Sequence, residues 1–152
     1  MEEKILVPLD GSKIGEAALP CVYDLIDKLL PKVKVEVTLI QVLAAMSHYI
    51  AAGEETARVP YTAQELEQMK ERALLYLKKI EEEMKKSGAS TRITTVVGDA
   101  ADEIIQEADK INADIIAMSS HGRSGISRWA FGSVTDKVLR GGTRPILVIK
   151  SS

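Results

Sequence analysis

Residues 114–135, Asp-Ile-Ile-Ala-Met-Ser-Ser-His-Gly-Arg-Ser-Gly-Ile-Ser-Arg-Trp-Ala-Phe-Gly-Ser-Val-Thr, decide the reading of this chain. Asp114–Met118 is an apolar run with the look of a buried strand, and Val134–Arg140 has the look of a helix. Between them cluster glycines, hydroxyls and other small residues. A strand that hands over to a helix in this way places the helix's first N–H groups, which lack intrahelical partners, beside the strand's carboxyl end. The expectation for 118–135 is therefore an anion site, and a nucleotide phosphate is the leading ligand.

Outward from this stretch, strand and helix patterns alternate. Lys4–Leu9 is a short apolar run stopped by Pro8 and by Asp10-Gly11-Ser12, a strand entering a turn. From Ile14 to Leu30, Ala18, Cys21, Val22, Leu25, Ile26 and Leu29 recur at threes and fours, a helix with one buried face. Pro20 is expected to kink its first turns and Pro31 to end it. Val33–Leu43 is rich in β-branched residues and reads as a second strand. Ala44–Thr62 has no clear period and contains Gly53 and Pro60, so a long loop or irregular arm is expected. Ala63–Lys86 is the clearest helix, with Leu66, Met69, Ala73, Leu77, Ile80 and Met84 in one stripe and Ser87-Gly88 as its stop. Thr91–Val97 is a third strand, Asp99 caps the helix after it, Asp114–Met118 is a fourth strand and Arg144–Lys150 a fifth.

This alternation argues for an α/β fold in one domain, 1–152, with an open parallel five-stranded sheet and helices on both faces. Ligands of such sheets sit at the carboxyl ends of strands, where the strand order reverses. The loops after Leu9 and after Met118 both lie at carboxyl ends. If the first and fourth strands are neighbours, these loops face each other across one crevice.

Composition narrows the classes further. A chain of 152 residues, 45% hydrophobic and 28% charged, suits one ordinary globular domain. A net charge of -2 without a Lys/Arg-rich arm makes no electrostatic case for nucleic acid. Cys21 is the single cysteine, which excludes an intrachain disulfide framework and fits a reducing compartment. The N-terminus runs directly into a strand without a secretory pattern, and no apolar segment approaches membrane-spanning length, so a cytoplasmic protein with no membrane partner is expected. The chain lacks Gly-x-x-x-x-Gly-Lys-Ser/Thr, a Gly-x-Gly-x-x-Gly after a strand, and Gly-x-Ser-x-Gly. P-loop hydrolase, dinucleotide dehydrogenase and esterase readings fall with them.

Four segments together resemble the universal stress protein family: 5–12 (Ile-Leu-Val-Pro-Leu-Asp-Gly-Ser), 113–125 (Ala-Asp-Ile-Ile-Ala-Met-Ser-Ser-His-Gly-Arg-Ser-Gly), 132–139 (Gly-Ser-Val-Thr-Asp-Lys-Val-Leu) and 144–149 (Arg-Pro-Ile-Leu-Val-Ile). Their order and spacing cover essentially the whole chain. The resemblance implies a Rossmann-like, adenine-nucleotide-binding α/β fold that is usually dimeric, and a stress-response role. One branch of the family binds ATP through Gly, two residues, Gly, nine residues, then Gly and Ser or Thr. Here Gly122, nine residues, then Gly132-Ser133 fit that pattern, whereas Ser119 stands at the first glycine. Serine is small enough for a close phosphate approach provided the backbone there needs no positive φ.

The implied nucleotide contacts are Pro8, Leu9, Asp10, Val42, Met118, Ser119, Ser120, His121, Gly122, Arg123, Gly132, Ser133, Val134 and Thr135. Asp10 accepts from ribose hydroxyls or helps hold a Mg²⁺ bridging phosphates, against the alternative of a plain Asx-turn in Asp-Gly-Ser. Val42 matches the position whose backbone reads adenine, with a core valine as the alternative. Gly132-Ser133 serves phosphate approach, an N-cap closed by Asp136, or both. His121 is expected to hydrogen-bond locally, since no nucleophile with an orienting partner accompanies it. Arg123 offers charge neutralisation, while Arg128 is left aside. Trp129 and Phe131 are expected as packing anchors, Cys21 as a buried small hydrophobe, and Glu81-Glu82-Glu83 as a solvated helix face. His48, Tyr49 and Tyr61 are assigned to a mobile loop rather than a lid.

The function these readings point to is an ATP-binding stress-response module, with ADP and AMP left open because phosphate loops read charge before count. Its expected partners are an adenine nucleotide, a second copy paired through the 145–149 strand, and a protein not identified by the sequence. Two alternatives stand beside it. One is a slow Mg²⁺-dependent ATP hydrolase using Asp10; the other is a nucleotide-independent homodimeric interaction protein, for which Ser119 argues.

Overall fold

The computed structural model describes residues 1–44, 46–52, 55–122 and 130–151, and of 46–52 and 55–58 the backbone alone. The elements run β1 (Glu2–Pro8), a 3-10 turn (Ile14–Ala18), α1 (Leu19–Leu29), β2 (Lys34–Leu43), β3 (Met46–Ala52), β4 (Glu55–Pro60), α2 (Ala63–Lys86), β5 (Ser90–Val97), α3 (Ala100–Lys110), β6 (Ile115–Ser119), α4 (Ser133–Gly141) and β7 (Ile146–Ile149). Five strands form one sheet in the order β5-β2-β1-β6-β7, every neighbour parallel.

Strand alternation explains how both faces are filled. Successive residues of a strand point to opposite faces, so Ile5 and Val7 enter one core while Leu6 enters the other. The first core joins Val35, Val37 and Leu39 of β2 to Val22 and Ile26 of α1 and to Leu77 and Met84 of α2. The second joins Ile40 and Ile116 to Ile104 and Ala108 of α3 and Val138 of α4. Strands covered on both faces read as near-continuous apolar runs, which is why Ile5-Leu6-Val7 shows no polar alternation.

Local chemistry sets the helix ends. Thr62 caps α2 through a reciprocal box: its Oγ1 accepts from Glu65 N at 3.1 Å, and Glu65 Oε1 accepts from Thr62 N at 3.2 Å. Gly88, at φ 94, lets the chain turn away after α2. Asp99 caps α3 as expected, accepting from Asp102 N at 3.2 Å.

Three expectations are corrected. The helix expected from Ile14 begins at Leu19, because 14–18 winds as a 3-10 turn; Pro20 then sits in the first turn of α1, where a missing N–H costs nothing, and does not kink it. Cys21 is half-buried rather than enclosed. The arm expected to be irregular contains an antiparallel hairpin, with Tyr49 opposite Arg58 and Ala52 opposite Glu55. His48 and Tyr49 thus belong to β3, and Tyr61 joins β4 to α2. A two-stranded ribbon is held by its own backbone ladder, so it leaves no period-2 apolar signal in Met-Ser-His-Tyr-Ile-Ala-Ala.

Tyr76 ties α2 to the 3-10 turn, its hydroxyl donating to Glu16 Oε2 at 2.9 Å. Partial burial, the bond to Glu16 and the nearby Glu16 and Asp10 carboxylates push the phenol far above its ordinary pKa. An unfolded tyrosine ionises near about pH 10. The contribution of Tyr76 is therefore complete below that pH and declines as pH rises beyond it, where only the unfolded chain gives up the proton. In urea titrations Tyr76→Phe should cost about 1 kcal/mol at neutral pH and flatten the fall in stability above about pH 10. An unchanged slope would remove Tyr76 as its source.

Candidate functional site

The strand order places a switch point beside β1. The chain leaves β1 for β2 and β5 on one side, then returns to β6 on the other. At the carboxyl ends of these strands opens a cavity of about 540 Å³, within the range of small-molecule sites. Pro8 and Leu9 end β1 at its floor, Ile40 and Val42 come from β2, and Met118 and Ser119 from β6. Asp10 approaches on the loop after β1, His121 and Gly122 on the loop after β6, and Gly132, Ser133, Val134 and Thr135 at the start of α4. Ala44, Ala100 and Ile104 also line it. The crevice expected between the first and fourth strands is thus present, with twelve of the sequence-selected residues around it. Ser120 is turned away from it, its hydroxyl bonded to His121 and Ser151, and Arg123 lies outside the described residues, as do Arg128 and Trp129.

Asp10 has two roles at once. Its Oδ1 accepts from Ser12 N at 2.9 Å and from Ser12 Oγ at 2.6 Å, the Asx-turn, while the same side chain lines the cavity. Ser12 Oγ in turn accepts from Gly15 N at 3.0 Å, and Gly11 takes φ 86 to complete the bend. Two glycines make room for the carboxylate: a Cβ on Gly15 would overlap Oδ1, and a Cβ on Gly122 would overlap Oδ2. Gly122 is therefore required by the approach of Asp10, not by a positive φ.

Ser119 sits at the end of β6, 7% exposed. Among the described residues Asn112 is the one non-glycine with positive φ, so the Ser119 backbone is unstrained. Its Oγ donates to His121 O at 2.7 Å, and its own carbonyl accepts from Thr135 Oγ1 at 2.9 Å. Gly132 N donates to Ser120 O at 2.8 Å, and a Cβ on Gly132 would lie 3.3 Å from that carbonyl. These contacts seat the first turn of α4 on the end of β6.

Gly132 is the N-cap of α4, and no side chain caps it. The alternative of a cap closed by Asp136 does not form: Arg140 Nε holds that carboxylate at 3.0 and 3.1 Å. The N–H groups of Ser133, Val134 and Thr135 therefore face the cavity end without intrahelical acceptors, carrying the positive end of the helix dipole. His121 is 6% exposed; its Nδ1 lies 3.0 Å from Ser120 Oγ. Ser120 Oγ accepts from Ser151 N at 2.9 Å. This is a locally bonded histidine. Phe131, expected as an anchor, is 49% exposed.

Sequence reasoning passed over four lining residues. Ile40 and Ile104 look like any core residue, and Ala44 and Ala100 are too small to carry a signal. Chemically, the cavity offers backbone donors at the start of α4, the Asp10 carboxylate, and the apolar side chains of Val42, Ile104 and Met118. Among the described residues, no three His, Cys, Asp or Glu side chains group as metal ligands.

Fold and site define a parallel α/β domain with a crevice at the switch point of its sheet. The model of the universal stress protein family matches residues 1–150, and the chain belongs to that family. Universal stress protein MJ0577 of Methanocaldococcus jannaschii is 30% identical over 163 residues, covering 99% of this chain and 96% of the relative. Universal stress protein MJ0531 of the same organism is 29% identical over 149 residues, covering 97% and 82%. The solved structure of MJ0577 has a TM-score of 0.73 at 24% identity in the structural alignment, covering 99% of this chain and 96% of that one. An Arabidopsis thaliana universal stress protein family protein with AMP bound has a TM-score of 0.64 at 16% identity, covering 99% and 92%. At such identities the structural likeness speaks for the fold.

Gly122→Ala should force Asp10 aside and destabilise the fold by about 1–3 kcal/mol. The same change placed in Asp10→Ala should cost less, since the overlapping oxygen is gone. Urea titrations of the four proteins test this, and strictly additive losses would refute the contact.

Proposed function

We propose that this chain is a nucleotide-binding stress-response module that holds ATP, or its shorter relatives ADP and AMP, in the crevice above β1, β2 and β6. The observation that carries the reading is the uncapped start of α4 opening onto a cavity of about 540 Å³. Phosphate oxygens accept from the N–H groups of Ser133, Val134 and Thr135, and Gly132 lets the chain come close. The adenine lies against Val42 and Met118, and the ribose reaches the end of β1 near Asp10. One carboxylate beside phosphates suits Mg²⁺, which keeps most of its water and takes few protein ligands; Asp10 is the residue that would hold it. Ser119 supports the reading, because it keeps an ordinary φ and spends its hydroxyl on His121 O. The AMP and cAMP carried by two relatives of the same fold lend further support.

A second copy of the chain is the proposed partner at β7. This strand closes one edge of the sheet, and Ile146–Ile149 are all only half-covered. An apolar edge requires cover, and pairing of 145–149 across a two-fold supplies it. Nucleotide occupancy would change the surface offered to a further protein. No helix among the described residues is long and apolar enough to cross a membrane, and the lone cysteine supports a reducing compartment such as the cytoplasm.

Calorimetric titration of nucleotide-free protein with ATP and Mg²⁺ should give micromolar binding, about -8 kcal/mol. Gly132→Asp, which adds a negative charge where the phosphates dock, should abolish it while the circular dichroism stays unchanged. Absence of heat with ATP, ADP and AMP alike would sink the nucleotide reading. For the assembly, Leu147→Pro should convert a dimer to a monomer in light scattering, and a persisting dimer would rule out strand pairing.

A further inference from the structure

A second cavity, of about 570 Å³, lies on the opposite face of the sheet, between the end of β2, the bend at Gly11 and one side of α2. Its floor breaks the pattern of the strand that forms it. On this face β2 presents Val35, Val37 and Leu39 to the core, and alternation puts Gln41 and Leu43 next in the same row. Gln41 is 8% exposed, and its Oε1 is buried without a hydrogen-bond partner among the described residues. Buried polar groups in folded proteins are nearly always paired, so an unpaired amide oxygen needs an explanation. Apolar residues fill the three preceding positions, and packing alone would be better served by a fourth.

The cavity wall supplies that explanation. Arg72 stands exposed at the mouth and makes no ion pair among the described residues. Leu43, Met69 and Tyr61 line the space between mouth and floor. The one acidic group in the wall, Glu65, is turned to the Thr62 N–H at the start of α2. The cavity thus has a buried acceptor awaiting a donor, the apolar side chains of Leu43, Met69 and Ala73 beside the polar ones of Tyr61, Gln68 and Tyr76, and an exposed guanidinium. Guanidinium takes carboxylate through two parallel bonds.

We infer that this cavity is a second ligand site, selective for a planar organic acid that carries a hydroxyl or N–H at the end away from its carboxylate. The donor end enters first and bonds Gln41 Oε1, the ring lies between Leu43 and Met69, and the carboxylate remains with Arg72. The site shares none of its lining with the first cavity. They adjoin along β2, with Ile40 and Val42 in the first and Gln41 and Leu43 in the second, and at the loop after β1, with Asp10 in the first and Gly11 in the second.

The test uses the full chain and three probes: 4-hydroxybenzoate, indole-5-carboxylate and benzoate. The first two should bind, with amide shift changes concentrated at Leu43, Met69 and Ala73. Benzoate, which leaves Gln41 unpaired, should bind about tenfold more weakly. Gln41→Leu should erase that difference by weakening the donor-bearing acids to the level of benzoate. Arg72→Gln lies on the exposed side of α2 and threatens no packing, so it serves if the first variant folds poorly; it should weaken all three acids about tenfold. Failure of both donor-bearing acids to bind the wild-type chain at millimolar concentration would overturn the proposal. So would unaltered affinity in Arg72→Gln, or shift changes centred on Ser133–Thr135.

Discussion

Burial of β1 on both faces is the constraint from which the rest of this structure follows. A central strand with no solvent-facing side must have helices above and below, and parallel neighbours that return by crossover. β2 lies on one side and β6 on the other. The carboxyl end of β1 is then the one place where two crossovers diverge, leaving a gap that no connection covers. Asp10 occurs there because it directly follows the strand, and the start of α4 reaches the same gap because β6 is the adjacent strand.

The site is built from close backbone approaches rather than from reactive side chains. Gly15 and Gly122 are bare so that the Asp10 carboxylate fits between them. Gly132 is bare so that α4 docks on the 120–121 backbone. Hydroxyls of Ser119 and Thr135 satisfy carbonyls at the same junction, and Ser151 joins it from beyond β7, its Oγ donating to His121 O at 3.2 Å. Preorganised N–H groups of this kind suit binding, where little has to move when an anion arrives. The two cavities differ in kind: one is defined by a helix end, the other by a lone amide in an apolar row.

Local chemistry was legible without coordinates. Apolar period distinguishes strand from helix, so the order of the parallel elements could be read along the chain, as could the Asp99 cap and the spacing from Gly122 to Gly132-Ser133. The Asx-turn at Asp10 was legible too, since its bonds join residues two apart. The hairpin at β3 and β4 was not, because a ribbon paired mainly with itself needs no alternating apolar face. The 3-10 start before α1 and the exposure of Phe131 were also hidden, since neither leaves a periodic trace.

What the sequence determined alone is the set of parts: five apolar strands, the amphipathic helices between them, and a glycine-spaced loop ahead of α4. The tertiary structure decided why those parts are as they are. That Gly122 must lack a Cβ depends on Asp10, which is remote along the chain and meets it only because β1 and β6 are neighbours. That Ser119 keeps an ordinary φ and bonds the His121 carbonyl depends on how the chain turns after β6. That Gln41 Oε1 is without a partner among the described residues depends on what α2 brings, or fails to bring, against β2. Propensity and capping act over a few residues and are written locally, whereas exclusion of a side chain or abandonment of a polar atom is a property of space shared by distant segments.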